Sequence, residues 1–255
     1  MFAQDAFKDH RIAITGVTGG IGKATAKAFA KLGGQIFGSD KDDLDDTAIE
    51  ALPGTYAPVD VTDEAALDAW FSGIAAETGQ PPSITVVNAG IVLEGSALEI
   101  NRADWESVLQ VNLTGAWLTA RTAARHLIEA KQPGAIVVVG SWAGHAAHPK
   151  SAAYSTSKAG LRMMVQCLAQ ETAPHSIRVN EAAPGWVDAG MSGRRFDERG
   201  GEEARKIARA KVPNRSLMTA EDVARQILWL AHPDNTQLIG ETLVADGGLS
   251  IVRRP

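Results

Sequence analysis

The stretch Thr15-Gly16-Val17-Thr18-Gly19-Gly20-Ile21-Gly22 decides the fold, because a short apolar strand runs into it and a helical pattern, Lys23 to Ala28, follows it. Gly16 permits a tight turn off the strand, and Gly20 leaves room where a pyrophosphate must approach. Gly22 allows the helix and the sheet to pack closely. The start of the helix offers free N–H groups and a positive dipole end to phosphates. A purely structural turn is the alternative, but this context favours a dinucleotide site formed by Gly16, Thr18, Gly19, Gly20, Ile21 and Gly22.

Short apolar runs alternate with longer helical patterns along the chain, which is typical of an α/β protein with helices on both faces of a parallel sheet. The predicted strands are Ile12 to Thr15, Gln35 to Gly38, Ile84 to Val87, Ile136 to Val139, Ile177 to Asn180 and Thr242 to Ala245, with Thr55 to Val59 as a weaker seventh. The predicted helices span about 22–32, 64–77, 104–131, 153–172 and 220–231. Thr62 and Thr219, each followed by acids, are predicted N-caps.

Length and composition indicate one domain, because 255 residues suffice for one substantial core and no composition shift marks a boundary within 1–255. Between Trp186 and Pro213 the periodicity fades into a Gly- and Arg-rich segment. We expect residues 187–213 to form a mobile substrate lid. No apolar run is long enough to span a bilayer, and the first ten residues lack the apolar core of a signal peptide. The expected location is therefore the cytoplasm, away from membranes.

The charged and sulfur-containing residues exclude several kinds of partner. A formal charge of -5 argues against nucleic acid, because phosphate binding needs an excess of clustered Lys and Arg. The single Cys167 cannot form an internal disulfide or, with no second Cys, a zinc site of the usual kind, and we expect no metal. Apolar neighbours on the same helix predict that Cys167 is a packing residue.

Asp40 closes the second predicted strand, Gln35-Ile36-Phe37-Gly38-Ser39. A carboxylate at this strand end can accept both hydroxyls of an adenosine ribose and would repel a 2′-phosphate. NAD is therefore favoured over NADP, although Lys41 and Lys23 are near enough in sequence to compete with this argument. The alternative is that Asp40 only begins a solvated acidic turn.

Tyr154 and Lys158 stand four residues apart and therefore share one face of a predicted helix. An ammonium beside a phenol favours the ionised form, so we expect Lys158 to lower the pKa of Tyr154 and make it a general base for an alcohol. Ser141 ends the strand Ala-Ile-Val-Val-Val-Gly-Ser, at the edge of the sheet where ligands bind. Its hydroxyl could stabilise negative charge on the reacting oxygen. Each residue has an ordinary structural alternative: a surface pair for Tyr154 and Lys158, and a helix cap for Ser141.

These motifs together resemble the short-chain dehydrogenase/reductase family in its smaller single-domain branch. The resemblance covers Arg11 to Gly248 and rests on the glycine turn together with Asp60-Val61, Asn88-Ala89-Gly90, Asn112, Ser141, Tyr154-x-x-x-Lys158 and Pro184-Gly185. It implies a Rossmann-type, doubly wound sheet of seven parallel strands and a nicotinamide cofactor. It also implies oxidoreduction at a carbon that bears a hydroxyl or a carbonyl group.

The resemblance also assigns roles to individual residues. Asp60 would meet the adenine edge and Val61 the face of the ring, while Asn88, Ala89 and Gly90 would line the adenosine ribose. Lys158 would bind the nicotinamide ribose, and Asn112 would hold a water that links Lys158 to solvent. Tyr154, Pro184, Gly185 and Val187 complete the expected cofactor contacts. Two helices, 104–131 and 153–172, would form a dimer contact, and the last strand would add a second contact in a homotetramer.

Pocket positions of the family fall here on residues that suit a polar substrate such as a sugar, polyol or hydroxy acid. The expected substrate contacts are Glu94, Ser141, Trp142, Ala143, His148 and Trp186. The basic residues between 194 and 206 either close over an anionic group or pair with neighbouring acids on the surface. Glu181 departs from the small or apolar residue common in the family, and needs Arg178 or another donor unless it reaches the cleft.

Three functions fit the sequence. The favoured one is an NAD-dependent dehydrogenase that interconverts a secondary alcohol and a ketone or aldehyde. The alternatives are an NADPH-dependent reductase of carrier-bound 3-oxoacyl groups and a sensor or scaffold that binds NAD without turnover. The complete set Asn112, Ser141, Tyr154 and Lys158 favours an enzyme, because a sensor does not need a proton relay.

Overall fold

A computed structural model describes residues 2–251; the two ends of the predicted domain, residue 1 and residues 252–255, lie outside the described residues. The strands are β1 (Arg11–Thr15), β2 (Gln35–Asp40), β3 (Thr55–Pro58), β4 (Ile84–Val87), β5 (Gly134–Val139), β6 (Ile177–Pro184) and β7 (Thr242–Ala245). The α-helices are α1 (Gly20–Lys31), α2 (Asp46–Glu50), α3 (Glu64–Thr78), α4 (Arg102–Leu109), α5 (Ala116–Glu129), α6 (Ala152–Thr172), α7 (Gly190–Glu198), α8 (Glu202–Lys211) and α9 (Ala220–Ala231).

The seven strands form one parallel sheet in the order β3-β2-β1-β4-β5-β6-β7. The chain reverses its direction of winding between β1 and β4, so a crevice opens at the carboxyl ends of these two strands. The predicted Rossmann-type, doubly wound fold is confirmed.

The core has two layers because side chains alternate along each strand. In β5, Ile136 and Val138 pack in the layer under α3, α5 and α6. Val137 and Val139 pack on the opposite face, under α1 and α9. Both faces of the strand are therefore buried, as continuous apolar strands require.

The strand predictions are confirmed with small shifts at their ends, whereas the helix predicted over 104–131 is interrupted. Residues Gln110–Gly115 form a π-helical turn between α4 and α5. A π turn is a local widening of the helix that often occurs at functional sites. Its core holds Asn112, which is 0% exposed.

Two predictions of local structure need correction. The N-cap of α3 is Asp63, whose carboxylate accepts the N–H groups of Ala65 and Ala66, so the prediction of Thr62 was wrong. Thr62 instead donates to Asp60. Cys167 is exposed on α6, so its assignment as a packing residue was also wrong.

The predicted cap of α9 is confirmed: Thr219 and Asp222 form a reciprocal capping box. The segment 187–213, expected to be irregular, contains α7 and α8. The short helix α2 was not predicted at all. Within residues 2–251, no helix is both long enough and apolar enough to cross a membrane.

Candidate active site

The glycine turn between β1 and α1 is held by close backbone approaches. Gly16 has φ 67°, and a Cβ there would lie 2.8 Å from the Cα of Ala89. A Cβ on Gly22 would lie 2.2 Å from the carbonyl oxygen of Gly16, so only glycine lets α1 start this close to the strand. A Cβ on Gly20 would lie 2.8 Å from the backbone nitrogen of Gly190, which means that the start of α7 rests on the turn.

Asp40 ends β2 beside this turn, and the turn fixes its carboxylate. Oδ2 accepts a hydrogen bond from the hydroxyl of Thr18 and lies 3.4 Å from the backbone nitrogen of Thr18. Oδ1 accepts the N–H of Lys41 at 2.9 Å. The carboxylate is thus a hydrogen-bonded acceptor at the edge of the crevice.

A cavity of about 660 Å³ occupies the carboxyl edge of the sheet. Every residue predicted to bind the cofactor lines it, except Gly22, which is buried behind the turn. Ser141, Tyr154 and Lys158 line the end opposite Asp40 along the strand order. A second, shallower depression of about 650 Å³ lies along β7 and α9 and contains none of the predicted site residues.

Two asparagines stabilise the cavity wall, one within it and one behind it. The amide of Asn88 donates to the carbonyl oxygens of Thr15 (3.1 Å) and Gly16 (2.9 Å), which ties β4 to the glycine turn. Asn112 does not line the cavity; its side chain accepts the N–H of Ile91 at 2.8 Å. Its amide donates to the Ile91 carbonyl at 2.8 Å and to the Ser157 hydroxyl at 3.2 Å. The π turn therefore aims Asn112 at the segment beside Gly90 and at α6.

Tyr154 and Lys158 lie on one face of α6, as their spacing predicts. The ammonium nitrogen of Lys158 is 5.7 Å from the centre of the Tyr154 ring and donates to the Val139 carbonyl at 2.8 Å. The side chain of Ser141 hydrogen-bonds to that of Tyr154, and its oxygen accepts the N–H of Ala143 at 3.2 Å. The three polar side chains thus converge at the carboxyl end of β5.

The pKa of Tyr154 moves in the direction opposite to the expected one. Burial raises it, and only the hydrogen bond from Ser141 and the positive charge of Arg195 oppose that rise. Burial also lowers the pKa of Lys158 to about 8, partly opposed by the charge of Glu181. The spacing of the two residues suggested that the charge of Lys158 would have the largest effect on the pKa of Tyr154. The burial cost for both charged forms was not visible in the sequence.

Four predicted substrate contacts lie beside the cavity rather than in its wall. Trp142, His148 and Trp186 form an aromatic cluster whose ring centres are 5.4 to 6.0 Å apart. Trp142 and Ala143 are buried and pack with Tyr154, while His148 lies 3.2 Å from the Ser151 hydroxyl. Of the six predicted contacts, Ser141 alone lines the cavity.

Glu94, the sixth predicted contact, forms ion pairs with basic residues at α7. Its carboxylate lies 3.3 Å from Arg195 on α7 and accepts two hydrogen bonds from Arg199, the C-cap of that helix. Arg195 also donates to the Val92 carbonyl at 3.0 Å. Arg205 on α8 binds Asp188 at 2.9 Å. Most of the predicted basic set is therefore paired with acids, as one of the two interpretations expected.

Sequence reasoning missed several residues that line the cavity. In α7 these are Met191 and Ser192, and elsewhere they include Ile91, Val92, Gln110 and Val111. The Gly- and Arg-rich composition of this segment obscured α7, and nothing in the linear pattern links residues 110–111 to this cavity. Among residues 2–251, no group of three or more His, Cys, Asp and Glu side chains could hold a metal ion.

Comparisons with known proteins agree with this geometry. A family model described as enoyl-(acyl carrier protein) reductase matches residues 16–250. The chain is 34% identical to a 3-oxoacyl-acyl-carrier-protein reductase of Thermotoga maritima, over 93% of this chain and 96% of that protein. It is 33% identical to 3beta-hydroxysteroid dehydrogenase 1 of Eggerthella lenta, over 97% and 96%.

Two further matches extend the range of relatives. Cis-4-hydroxycyclohexanecarboxylate dehydrogenase of Sinomonas cyclohexanicum is 34% identical over 97% of this chain and 99% of that protein. The crystal structure of a short-chain type dehydrogenase/reductase from Mycobacterium marinum superposes with a TM-score of 0.85 at 28% identity, covering 95% and 96% of the two chains. The chain therefore belongs to the short-chain dehydrogenase/reductase family and is an oxidoreductase that acts on CH–OH groups.

Proposed function

We propose that this enzyme interconverts a polar secondary alcohol and the corresponding ketone or aldehyde with NAD as the cofactor and Tyr154 as the general acid/base. The observation that carries the proposal is the single cavity between the glycine turn with Asp40 at one end and Ser141, Tyr154 and Lys158 at the other. When bound, the nicotinamide accepts or gives the hydride. The chain supplies orientation and moves the proton.

The residues of the cavity fit a dinucleotide. Gly16 and Gly20 leave a smooth cradle, and the first N–H groups of α1 face the crevice, where phosphates bind best. The fixed carboxylate of Asp40 would accept two ribose hydroxyls and disfavour a 2′-phosphate. Lys41, which also lines the cavity, would favour NADP. We infer that the carboxylate outweighs it, because Asp40 is the better ordered of the two.

The proton step follows from the convergence of side chains at the end of β5. Ser141 would hydrogen-bond the reacting oxygen while the phenol oxygen of Tyr154 takes or returns its proton. Lys158 would hold a ribose hydroxyl and stabilise the phenolate, although burial alone raises the pKa of Tyr154. The positive charge of an oxidised nicotinamide would add to that of Lys158. Asn112, anchored to Ile91 and Ser157, would support the proton route from Lys158 to solvent.

A substrate with a carboxylate group is supported by charge in addition to the polarity of the site. The positive charge of Arg195 is close enough to oppose the rise in the pKa of Tyr154, and Arg194 lines the cavity. The relative from Sinomonas is named for a hydroxy acid with a ring. A hydroxy acid should therefore be a better substrate than the same alcohol with its carboxylate replaced by a neutral amide, and sugars and polyols complete the panel.

The second candidate is reduction of carrier-bound 3-oxoacyl groups. It is favoured by the name of the Thermotoga relative, and it would require a reductase that prefers NADPH. A 3-oxoacyl thioester assayed with NADPH and with NADH separates the two proposals. Efficient NADPH-dependent reduction of the thioester, with no turnover of hydroxy acids or polyols, would favour the second candidate.

The central test replaces Tyr154 by Phe. Without the phenol oxygen, turnover should fall by a hundredfold to ten-thousandfold or more, about the size of a general acid–base contribution. NADH binding, followed by quenching of protein fluorescence, should be retained because the ring is unchanged. The matched control is Thr156→Val. Thr156 is exposed on α6 two residues after Tyr154, so this substitution should leave turnover within about twofold. Near wild-type turnover of Y154F would remove the role proposed for Tyr154.

Association of the chain is also proposed, as a homodimer or homotetramer. Apolar side chains remain exposed on the two helices and the last strand expected to form these contacts: Trp117 on α5 is 39%, Met163 on α6 60% and Val244 on β7 36% exposed. Such patches are typical of contact surfaces between subunits. Light scattering after size-exclusion chromatography gives the mass in solution, and a monomer at all concentrations would contradict this part. A reducing compartment such as the cytoplasm suits the single, exposed Cys167.

A further inference from the structure

Glu181 is a buried acid directly behind the proposed catalytic residues. It lies in β6, opposite Val138 of β5 and Thr242 of β7, and is 0% exposed. Oε2 accepts the hydroxyl of Thr242 at 2.8 Å, whereas Oε1 has no hydrogen-bond partner among the described residues. A buried carboxyl with an unmade hydrogen bond is costly, so a role for its charge has to be sought.

Arg178, the partner considered from the sequence, is not used. Its guanidinium donates to the carbonyl oxygens of Leu230, Ala231 and His232 at 2.8 to 3.1 Å. Glu181 does not line the cavity either. The carboxyl instead fills the space that Gly140 leaves empty, because a Cβ on Gly140 would lie 1.7 Å from Oε1.

Gly140 follows Val139, the residue whose carbonyl holds the ammonium of Lys158 at 2.8 Å. Val138, two residues before Gly140, packs in the layer under α6, so strand alternation directs position 140 to that layer as well. The Glu181 carboxyl and the Lys158 side chain therefore enter the same space between the sheet and α6. Both approach the last residues of β5.

The charged groups that face Glu181 are both positive. From α6, Lys158 and Arg162 act on it, β7 contributes the neutral Thr242, and β5 presents only Val138 and Gly140. Burial raises the pKa of Glu181, while the Thr242 hydrogen bond and the two cations oppose that rise. Reciprocally, Glu181 opposes the burial that lowers the pKa of Lys158.

We propose that Glu181 is a positioning residue, behind the cavity wall, whose carboxylate is the internal counter-ion of Lys158 and keeps this lysine protonated where it lines the cavity. The proposal rests on the role of Lys158 in the proposed function. Glu181 touches neither the cavity nor the reacting atoms and acts through Lys158 alone. Glu181 thus places a negative charge at a position where the family commonly has a small or apolar residue.

The test compares the wild-type protein with the Glu181→Gln variant, using 13C NMR of lysine labelled at Cε. The Lys158 signal is assigned from its absence in Lys158→Met. The pKa of Lys158 should fall by about one unit or more in E181Q, because the negative charge that opposes the effect of burial is lost. The exposed acid of Glu241, next to Thr242, supplies the control: Glu241→Gln should leave the Lys158 titration unchanged. An unchanged pKa in E181Q would overturn the proposal.

A second measurement covers the case in which E181Q does not fold. In the wild-type protein labelled at the Glu Cδ carbons, the Glu181 carboxyl should be ionised in the range where Lys158 is protonated. A carboxyl that stays protonated throughout that range would refute the role of Glu181 as a counter-ion.

Where E181Q folds, the pH profile of kcat should also shift: the loss of activity on the alkaline side should begin at lower pH in E181Q. Because the NMR readout needs no turnover, it stays informative even if Y154F shows that the proposed catalytic role is wrong.

Discussion

Replacement of Gly140 by Ala should destabilise the protein strongly, although it adds only one methyl group. The new Cβ would lie 1.7 Å from Oε1, 2.6 Å from Cδ and 2.8 Å from Cγ of Glu181. Glu181 is fully buried, so its carboxyl cannot swing into solvent to make room. Overpacking of this kind costs about 1–3 kcal/mol. Displacement of the carboxyl from Thr242 adds about 1 kcal/mol. We expect a loss of about 2–4 kcal/mol in the free energy of unfolding.

The assay is urea unfolding followed by circular dichroism at one fixed protein concentration, because association would otherwise shift the midpoint. Gly73 is the matched control: it lies within α3, and a Cβ there would meet nothing within 4 Å. Gly73→Ala should be neutral or stabilising by up to about 1 kcal/mol, from helix propensity.

A double-mutant cycle identifies the contact responsible. Glu181→Ala removes the side chain that the new methyl group strikes, so the Gly140→Ala, Glu181→Ala double variant should lose less stability than the sum of the two single variants. A coupling of about 1–3 kcal/mol is expected for residues in direct contact. Strict additivity, or a G140A variant as stable as the wild type, would refute the placement of the Glu181 carboxyl under Gly140.

Three further predictions concern the cofactor, a helix cap and pH. In Asp40→Ala, loss of the carboxylate should lower kcat/KM for NADH and raise the relative use of NADPH, which is measured by assays with each cofactor. An unchanged preference would show that Asp40 does not select between the two cofactors. Thr219→Ala removes the hydroxyl that caps α9 and should cost about 1 kcal/mol in urea unfolding; no loss would mean that the capping box is not stabilising. Because the folded pKa of Lys158, about 8, lies below its ordinary value of 10.5, the unfolded chain binds more protons between these values. The stability of the wild type relative to Lys158→Met should therefore rise between pH 8 and 10.5, and a constant or falling difference would contradict the lowered pKa.

The sequence alone predicted the layout of the sheet and most of the residues that line the cavity at its carboxyl edge. Apolar strands such as Ile84–Val87 must be buried on both faces, so their composition identifies them without tertiary knowledge. The glycine turn and Asp40 were also recognisable, because each must lie at a strand end for local backbone reasons. The spacing of Tyr154 and Lys158 fixed their shared helix face, since the period of a helix is a local property.

Helical segments without a strong pattern could not be found in this way. The helix α7 is polar, and Arg195 within it and Arg199 at its end pair with Glu94, about a hundred residues away in sequence. Glu94 was expected to touch substrate because it falls at a pocket position of the family, and these ion pairs were not visible in the sequence. The position of Trp142, His148 and Trp186 beside the cavity follows from their packing against each other, which no linear pattern encodes.

Local sequence thus determined which elements form and which chemical groups stand at their ends, because turns, caps and helix faces depend on neighbours within a few residues. Tertiary structure decided the electrostatic state of those groups. Burial raises the pKa of Tyr154 and lowers that of Lys158, and only the packed layer between β5, β6 and α6 brings Glu181 close to Lys158. Desolvation and through-space charge depend on residues distant in sequence, and these interactions exist only when the sheet is assembled.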